Sequence, residues 1–237
     1  MKILTFDTSG SSSSVALSHG TELIGETLFS GHRTPTGKLL DAARALLDTA
    51  SLAPADLDAF AVSLGPGSFT GVRVGISLVK GMALAAGKPA LGFSSLAMLA
   101  ANLPLCAWQV APLFDARKSE VYCALYRTGS GVPVPVAAEA VLPPVDFLAT
   151  ITEPTVFVGD GALRYRELIT ETLGDLAIFA PWNAHLPKAS AGALVAHEAA
   201  LAGAFIPLAQ LNPRYLRLSE AEVAKKRASE EFRKNAP

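Results

Sequence analysis

Short, mostly apolar runs bounded by polar turns open the chain. Lys2-Ile3-Leu4-Thr5-Phe6-Asp7 reads as a strand that ends on a carboxylate. A small polar turn, Thr8 to Ser13, follows; Ser14 to Ser18 alternates as a second strand, and Thr21 to Phe29 as a third after the His19-Gly20 turn. The period then lengthens. Leu39, Leu40, Ala43, Leu46, Leu47 and Ala50 recur at three-to-four spacing, which predicts a helix over Thr36 to Ala50. Ala59 to Leu64 is a short buried strand. Gly65-Pro66-Gly67-Ser68-Phe69-Thr70-Gly71 turns into a second helix, which Gly87-Lys88-Pro89 stops. A strand at Ala90 to Phe93 and a helix from Ser95 close this half.

The second half follows the same plan. Phe6-Asp7 is followed by Ala16-Leu17, and Phe114-Asp115 at the same distance by Ala124-Leu125. Each half has a strand ending in Gly-x-Gly ahead of a helix, at Gly65-Pro66-Gly67 and at Gly159-Asp160-Gly161. The repeat predicts a duplicated α/β lobe. Leu103-Pro104-Leu105 is the expected boundary, giving lobes at 1–104 and 105–210 and a C-terminal segment at 211–237. Ser219-Glu220-Ala221-Glu222 has the form of a capping box ahead of a charged terminal helix.

Composition narrows the function classes. Half of the 237 residues are hydrophobic, enough for a sizeable core. Twenty Lys and Arg against 21 Asp and Glu leave no basic surplus for a stand-alone nucleic-acid binder. Cys106 and Cys123 form no Cys-x-x-Cys pair and fit a reducing compartment. Residues 1–7 reach a carboxylate before a signal-peptide core could form. The most apolar stretch, Val72 to Ala107, is broken by Arg73, Lys80 and two Pro-containing turns, so no membrane span is expected there. The expectation is a soluble, cytoplasmic protein.

Candidate chemistry is sparse. The Gly65–Gly71 loop precedes a helix N-terminus and suits an anion, but it is neither a dinucleotide fingerprint nor a P-loop. A phosphate site and a structural turn both remain open for it. Asp7 and Asp115 suit paired acids across a cleft, or strand-end carboxylates bonded to turn amides. Leu201 stands where a His-Glu-x-x-His motif from His197 would need its second ligand. The second helix is over-apolar. At about 100° per residue, Arg73, Ser77 and Lys80 share one narrow stripe and the rest is apolar or small. It is either sandwiched within its own domain or covered by another chain, which Gly71, Gly75, Gly81 and Ala85 would let come close.

Four ordered motifs then carry a family resemblance. Ser63 to Gly75, SLGPGSFTGVRVG, resembles the signature of the TsaB (YeaZ) family. Phe6-Asp7-Thr8-Ser9 is similar to that family's opening turn, Phe114 to Tyr122 to its Asp-Ala-Arg-x-x-Glu-Val-Tyr motif, and Pro213 to Arg217 to its Pro-x-Tyr-Leu-Arg. The resemblance implies a duplicated actin-like fold, of the HSP70 and ribonuclease H type. It implies a non-catalytic subunit in the synthesis of threonylcarbamoyladenosine at tRNA position 37. The partners implied are the catalytic subunit TsaD, or a second copy of the chain, an ATPase, TsaE, on the complex, and tRNA only through that complex. TsaD carries a His-x-x-x-His metal motif where Ser95 and Leu99 stand here. Ser9 occupies a place where actin-like ATPases carry Gly, and Pro35 one where the family often has His. On this reading Asp7, Thr8, Ser9, Gly65, Gly67 and Asp115 form degenerate phosphate-binding turns, with no cofactor, metal or catalytic residue. Leu39, Ala43, Leu46, Leu47, Val74, Gly75, Leu78, Gly81 and Met82 would form the partner interface. The alternative is an actin-like ATP-binding phosphotransferase or nucleotide hydrolase. A peptidase is a third reading, and the lack of paired ligand histidines speaks against its metal-dependent form.

Overall fold

The structure is a computed structural model and describes residues 1–31 and 36–217. Pro35 and the charged helix expected from Ser219 lie outside the described residues. The first sheet is built from β1 (Lys2–Asp7), β2 (Ser12–His19), β3 (Glu22–Ser30), β4 (Ala59–Ser63) and β5 (Ala90–Phe93), in the order β3-β2-β1-β4-β5. The second uses β6 (Gln109–Asp115), β7 (Val121–Arg127), β8 (Val134–Leu142), β9 (Thr155–Val158) and β10 (Ala177–Phe179), in the order β10-β9-β6-β7-β8. Read from its own first strand, each sheet has the same connectivity. In both, the first three strands form an antiparallel meander, and the fourth and fifth join in parallel on the other side. The repeat expected from Phe-Asp and Gly-x-Gly is therefore a repeat of the whole sheet.

Helices cover both faces of the first sheet, so its central strands are apolar on both sides. Leu4, Phe6, Phe60 and Val62 point to one face, beneath α1 (Thr36–Thr49) and α2 (Phe69–Ala86). Ile3, Ala59, Ala61 and Leu91 point to the other, beneath α7 (Ala189–Leu201). In the second sheet Val110 and Phe114 face α3 (Ser95–Ala100). Ala111 and Leu113 face the side of α4 (Pro144–Leu148), α5 (Asp160–Arg164) and α6 (Arg166–Leu173). The strict period of two along β1 and β6 sets these assignments.

The packing crosses the expected lobe boundaries at 104 and 210. α3 follows the last strand of the first sheet yet packs on β6 and β7; α7 follows the last strand of the second yet packs on β1, β2 and β5. The two helices also pack on each other, so they form the layer between the sheets. Small residues allow it: Gly192 lies so close to the Phe93 ring that a side chain there would overlap it. The chain then returns to the first lobe at Leu211, which is fully buried in its core.

By length and composition α2 could cross a bilayer, which the reading of the broken 72–107 stretch did not anticipate. Its packing is that of a core helix along one side: Val72, Gly75, Ile76, Val79 and Ala83 are buried on the sheet. Gly71 and Gly75 face the Thr8 turn. A Cβ on Gly71 would lie far inside van der Waals contact with the Thr8 carbonyl oxygen, and one on Gly75 would meet Thr8 Oγ1, which already donates to the Gly71 carbonyl at 2.7 Å. Gly81 meets nothing. We therefore expect Gly71→Ala to destabilise the protein by about 1–3 kcal/mol through overpacking. Gly81→Ala should stabilise it by about 0.5–1 kcal/mol, as an open mid-helix glycine does. Urea unfolding of the two variants measures both.

Candidate functional site

Two features stand out: a cleft between the lobes and the outer side of α2. The cleft, of about 680 Å³, lies between the turn after β1, the loop before α2 and the turn after β6. Ser9, Gly10, Ser11, Gly67 and Ser68 line one wall; Phe114, Asp115, Arg117, Tyr122 and Asp160 line the other.

The first wall is largely turned in on itself. Asp7 ends β1 and is fully buried, absent from the cleft lining. Its Oδ1 accepts from the Ser9 amide (3.1 Å), the Ser9 hydroxyl (2.7 Å) and the Ser63 hydroxyl (2.5 Å). Its Oδ2 is buried without a hydrogen-bond partner. Burial pushes the Asp7 carboxyl above the usual carboxylate range, against the bonds from Ser63 and Ser9, which lower it. The Ser9 carbonyl is taken by the Ser68 amide at 2.7 Å, and Gly67 approaches it so closely that no Cβ would fit. Thr8 is spent on α2, as described above. Gly65 adopts φ +99° and packs against the Arg214 carbonyl.

The second wall is more open. Asp115 Oδ1 accepts from the Arg117 amide at 3.0 Å, just as the Asp7 carboxylate accepts from the amide two residues on. This is the strand-end turn expected as one of two readings for both acids. Asp115 Oδ2 is paired with Arg164 at 2.8 Å and Arg117 at 3.5 Å. The Asp115 amide donates to Asp160 at 3.0 Å. Burial pushes the Asp160 carboxyl up; the Asp115 charge adds to this, and backbone bonds and Arg117 oppose it. The paired-acid alternative does not match this arrangement: Asp115 looks into the cleft and Asp7 lies behind its wall. Sequence reasoning missed Asp160, Arg117 and Arg164 as lining or supporting groups. It also missed His185, buried under the Gly159 loop, whose Nδ1 accepts from the Gly159 amide (3.1 Å) while Nε2 donates to the Ala180 carbonyl (3.0 Å). No neighbouring motif marks it. Among the described residues no three His, Cys, Asp or Glu side chains gather as a metal site would require.

The second feature is the outer side of α2. Arg73, Ser77, Gly81 and Leu84 are exposed, Leu84 by 74%, and Val74, Leu78 and Met82 are half-buried beside them. Against the sandwiched alternative, this side is bare in the isolated chain. A shallow groove of about 560 Å³ runs along it, lined by Thr36, Phe69, Thr70, Arg73, Val74, Ser77 and Leu78. Four expected interface residues need correction. Leu39, Ala43 and Leu47 lie on the inward face of α1, buried in the lobe's own core, and Gly75 is buried against Thr8. The helical period shows which residues share a face; these share the inward one. Leu46 packs on Gly25, while Leu40 (41% exposed) is the α1 leucine left outside.

Two five-stranded sheets of repeated connectivity around a cleft define a duplicated actin-like fold. Component A of the (R)-2-hydroxyglutaryl-CoA dehydratase of Acidaminococcus fermentans shares that fold at 13% identity (TM-score 0.50; 85% of this chain, 99% of that one). Nearer relatives narrow it. The family model for TsaD, tRNA N6-adenosine threonylcarbamoyltransferase, matches residues 31–225. The tRNA threonylcarbamoyladenosine biosynthesis protein TsaB of Bacillus subtilis is 32% identical over 94% of this chain and 97% of its own. TsaB of Escherichia coli is 38% identical over 61% and 63%. The solved YeaZ of Pseudomonas aeruginosa is 33% identical, with a TM-score of 0.79 over 91% of this chain and 99% of that one. The chain belongs to the TsaB (YeaZ) family.

The burial of Asp7 gives a sign for its pH dependence. A carboxyl whose folded pKa is raised stabilises the fold in its protonated form. That contribution is complete below the ordinary value of 3.8 and is lost as pH rises through the folded value. The stability of Asp7→Asn relative to wild type should therefore rise with pH, by about 1.4 kcal/mol per unit between those two values, and then level off. Urea unfolding at a series of pH values reads this difference.

Proposed function

We propose that this chain is a non-catalytic scaffold subunit in tRNA threonylcarbamoyladenosine synthesis. It would hold a TsaD-like subunit in active geometry while that subunit transfers threonylcarbamoyl to adenosine 37. The observation that carries this reading is the bare apolar side of α2, beside a cleft wall where the Thr8 hydroxyl and the Ser9 hydroxyl and carbonyl are bonded within the protein. A helix needs only a roughly 100° apolar stripe to sit on its sheet. The exposed Leu84 and Phe69 and the half-buried Val74 and Leu78 lie beyond it. Covering such a surface favours association through the apolar area removed from water. The family's names, which link TsaB to this modification, support the pathway.

On this reading the partner is a TsaD-like subunit, or a second copy of the chain in its absence. A TsaE-like ATPase docks on the assembled pair, and tRNA is met only through the complex. The balanced net charge agrees with that division of labour. Work of this kind belongs in the cytoplasm and needs no cofactor on this chain. The cleft favours one alternative, an ATP-binding phosphotransferase or hydrolase, because serine-rich and glycine-rich turns face Arg117 across it. Calorimetric titration with magnesium ATP separates the two: micromolar binding by the isolated chain supports the alternative, and its lack supports the scaffold.

Val74→Glu and Leu78→Glu each place a charge on the proposed contact. Either should weaken association with the TsaD-like subunit by about 30-fold or more, since an unpaired buried charge is costly. Calorimetry measures the affinity, and thermal melting run alongside verifies that each variant is folded. Unchanged affinity in both folded variants overturns this docking face.

A further inference from the structure

Residues 211–217 do more than end the fold. After Leu211 enters the first-lobe core, the backbone passes over the loop that lines the cleft, and the Arg214 amide donates to the Leu64 carbonyl at 2.7 Å. The Arg214 guanidinium reaches the other way, to Glu139 on β8 of the second sheet, at 3.5 Å. Glu139 is well buried and also accepts from the Tyr126 hydroxyl (2.9 Å) and the Ser94 hydroxyl. One residue thus holds a first-lobe loop through its backbone and a second-lobe strand through its side chain.

Arg217 makes a second crossing. It donates to the Ala116 carbonyl at 3.0 Å and pairs with Glu120. These two residues bracket the turn Arg117-Lys118-Ser119, in which all three residues have positive φ, between 52° and 62°. Side chains in that conformation are strained, so such a turn persists only when its ends are fixed. Ala116 and Glu120 pair through a backbone bond of 3.0 Å, and Arg217 grips both. The turn also contributes Ala116 and Arg117 to the cleft wall. Between the two arginines, Tyr215 stacks on Phe69 with ring centres 5.2 Å apart and accepts a 2.6 Å bond from Arg73 Nε. The Arg73 guanidinium in turn lies 3.9 Å over the Phe69 ring. Phe69 and Arg73 line the groove on α2.

We propose that residues 214–217 are an interlobe clamp that ties the two walls of the cleft together and makes Tyr215 part of the α2 docking face. Arg214 and Arg217 fix the 64–68 loop against the 116–120 turn. Tyr215 transmits that spacing to Phe69 and Arg73. A molecule that docks on α2 then favours one opening of the cleft, and anything that spreads the cleft weakens docking by the same factor. The docking half of the proposal rests on the reading of α2 given above; the clamp half does not.

Hydrogen exchange of the full chain, read by mass spectrometry, tests the clamp. Arg217→Glu and Glu120→Arg should each speed exchange about fivefold or more in both 64–73 and 116–120, on opposite sides of the cleft. The double variant Glu120→Arg/Arg217→Glu restores an opposite-charge pair and should return most of the protection. Exchange that stays at the wild-type rate across 64–73 in both single variants overturns the clamp. For the docking half, Tyr215→Ala should weaken affinity for the TsaD-like subunit about tenfold, as loss of an aromatic anchor does. If Leu78→Glu abolishes binding and Tyr215→Ala leaves it intact, the composite face falls while the docking reading stands. If Leu78→Glu also leaves binding intact, the docking reading falls, and the exchange data alone decide the clamp.

Discussion

The closeness of α2 to the turn after β1 governs much of this structure. Three positions make it possible: Gly67, Gly71 and Gly75 each meet Thr8 or Ser9 where a Cβ would not fit. The approach has two results. It draws the turn's polar groups into bonds with α2 and its leading loop, so Ser9 and Thr8 present fewer of them to the cleft. It also fixes the rotation of α2. With the glycine side held against Thr8, the side bearing Arg73, Ser77 and Gly81 must look outward. The inward-bonded turn after β1 and the apolar outer surface of α2 are, in this chain, two aspects of one contact.

The second lobe shows what the turn does without so tight a seal. Its Asp115 makes the same bond to the amide two residues on, but its remaining oxygen is paired with arginines at the cleft. The corresponding glycines, Gly159 and Gly161, press on the backbone of Leu113 instead of on the turn. Duplication preserved connectivity and the strand-end acid, while the surroundings of the two acids diverged. Asp7 is buried among hydroxyl donors and Asp115 faces cations.

Much of this was legible in the residues. The change of period from two to about 3.6 located β1, α1 and α2 to within a residue or two, and the Phe-Asp and Gly-x-Gly repeats announced the duplication. The excess of apolar positions on α2 allowed either a sandwiched helix or one with an uncovered side, and the packing decides between them. What was not legible depends on what covers a face. Leu39, Ala43 and Leu47 share a stripe that suits a partner as well as a core, and only the position of β2 decides that they are core. Gly75 looks open in one dimension because the group it meets, Thr8, is 67 residues earlier. All six residues of α3 are buried, so its sequence has no polar side to show which sheet it serves. Glu139 and His185 act through partners distant in the chain, and no local pattern marks them.

The exchange of α3 and α7 between the sheets has an evolutionary consequence. Each half of the chain finishes its own sheet and then gives its last helix to the other. A gene encoding only residues 1–104 would leave Ile3, Ala59, Leu91 and Phe93 uncovered, because the Ala-rich helix that shields them is translated nearly a hundred residues later. Neither half closes its own sheet by itself, and on the ribosome the first sheet waits for α7 before its second face is closed.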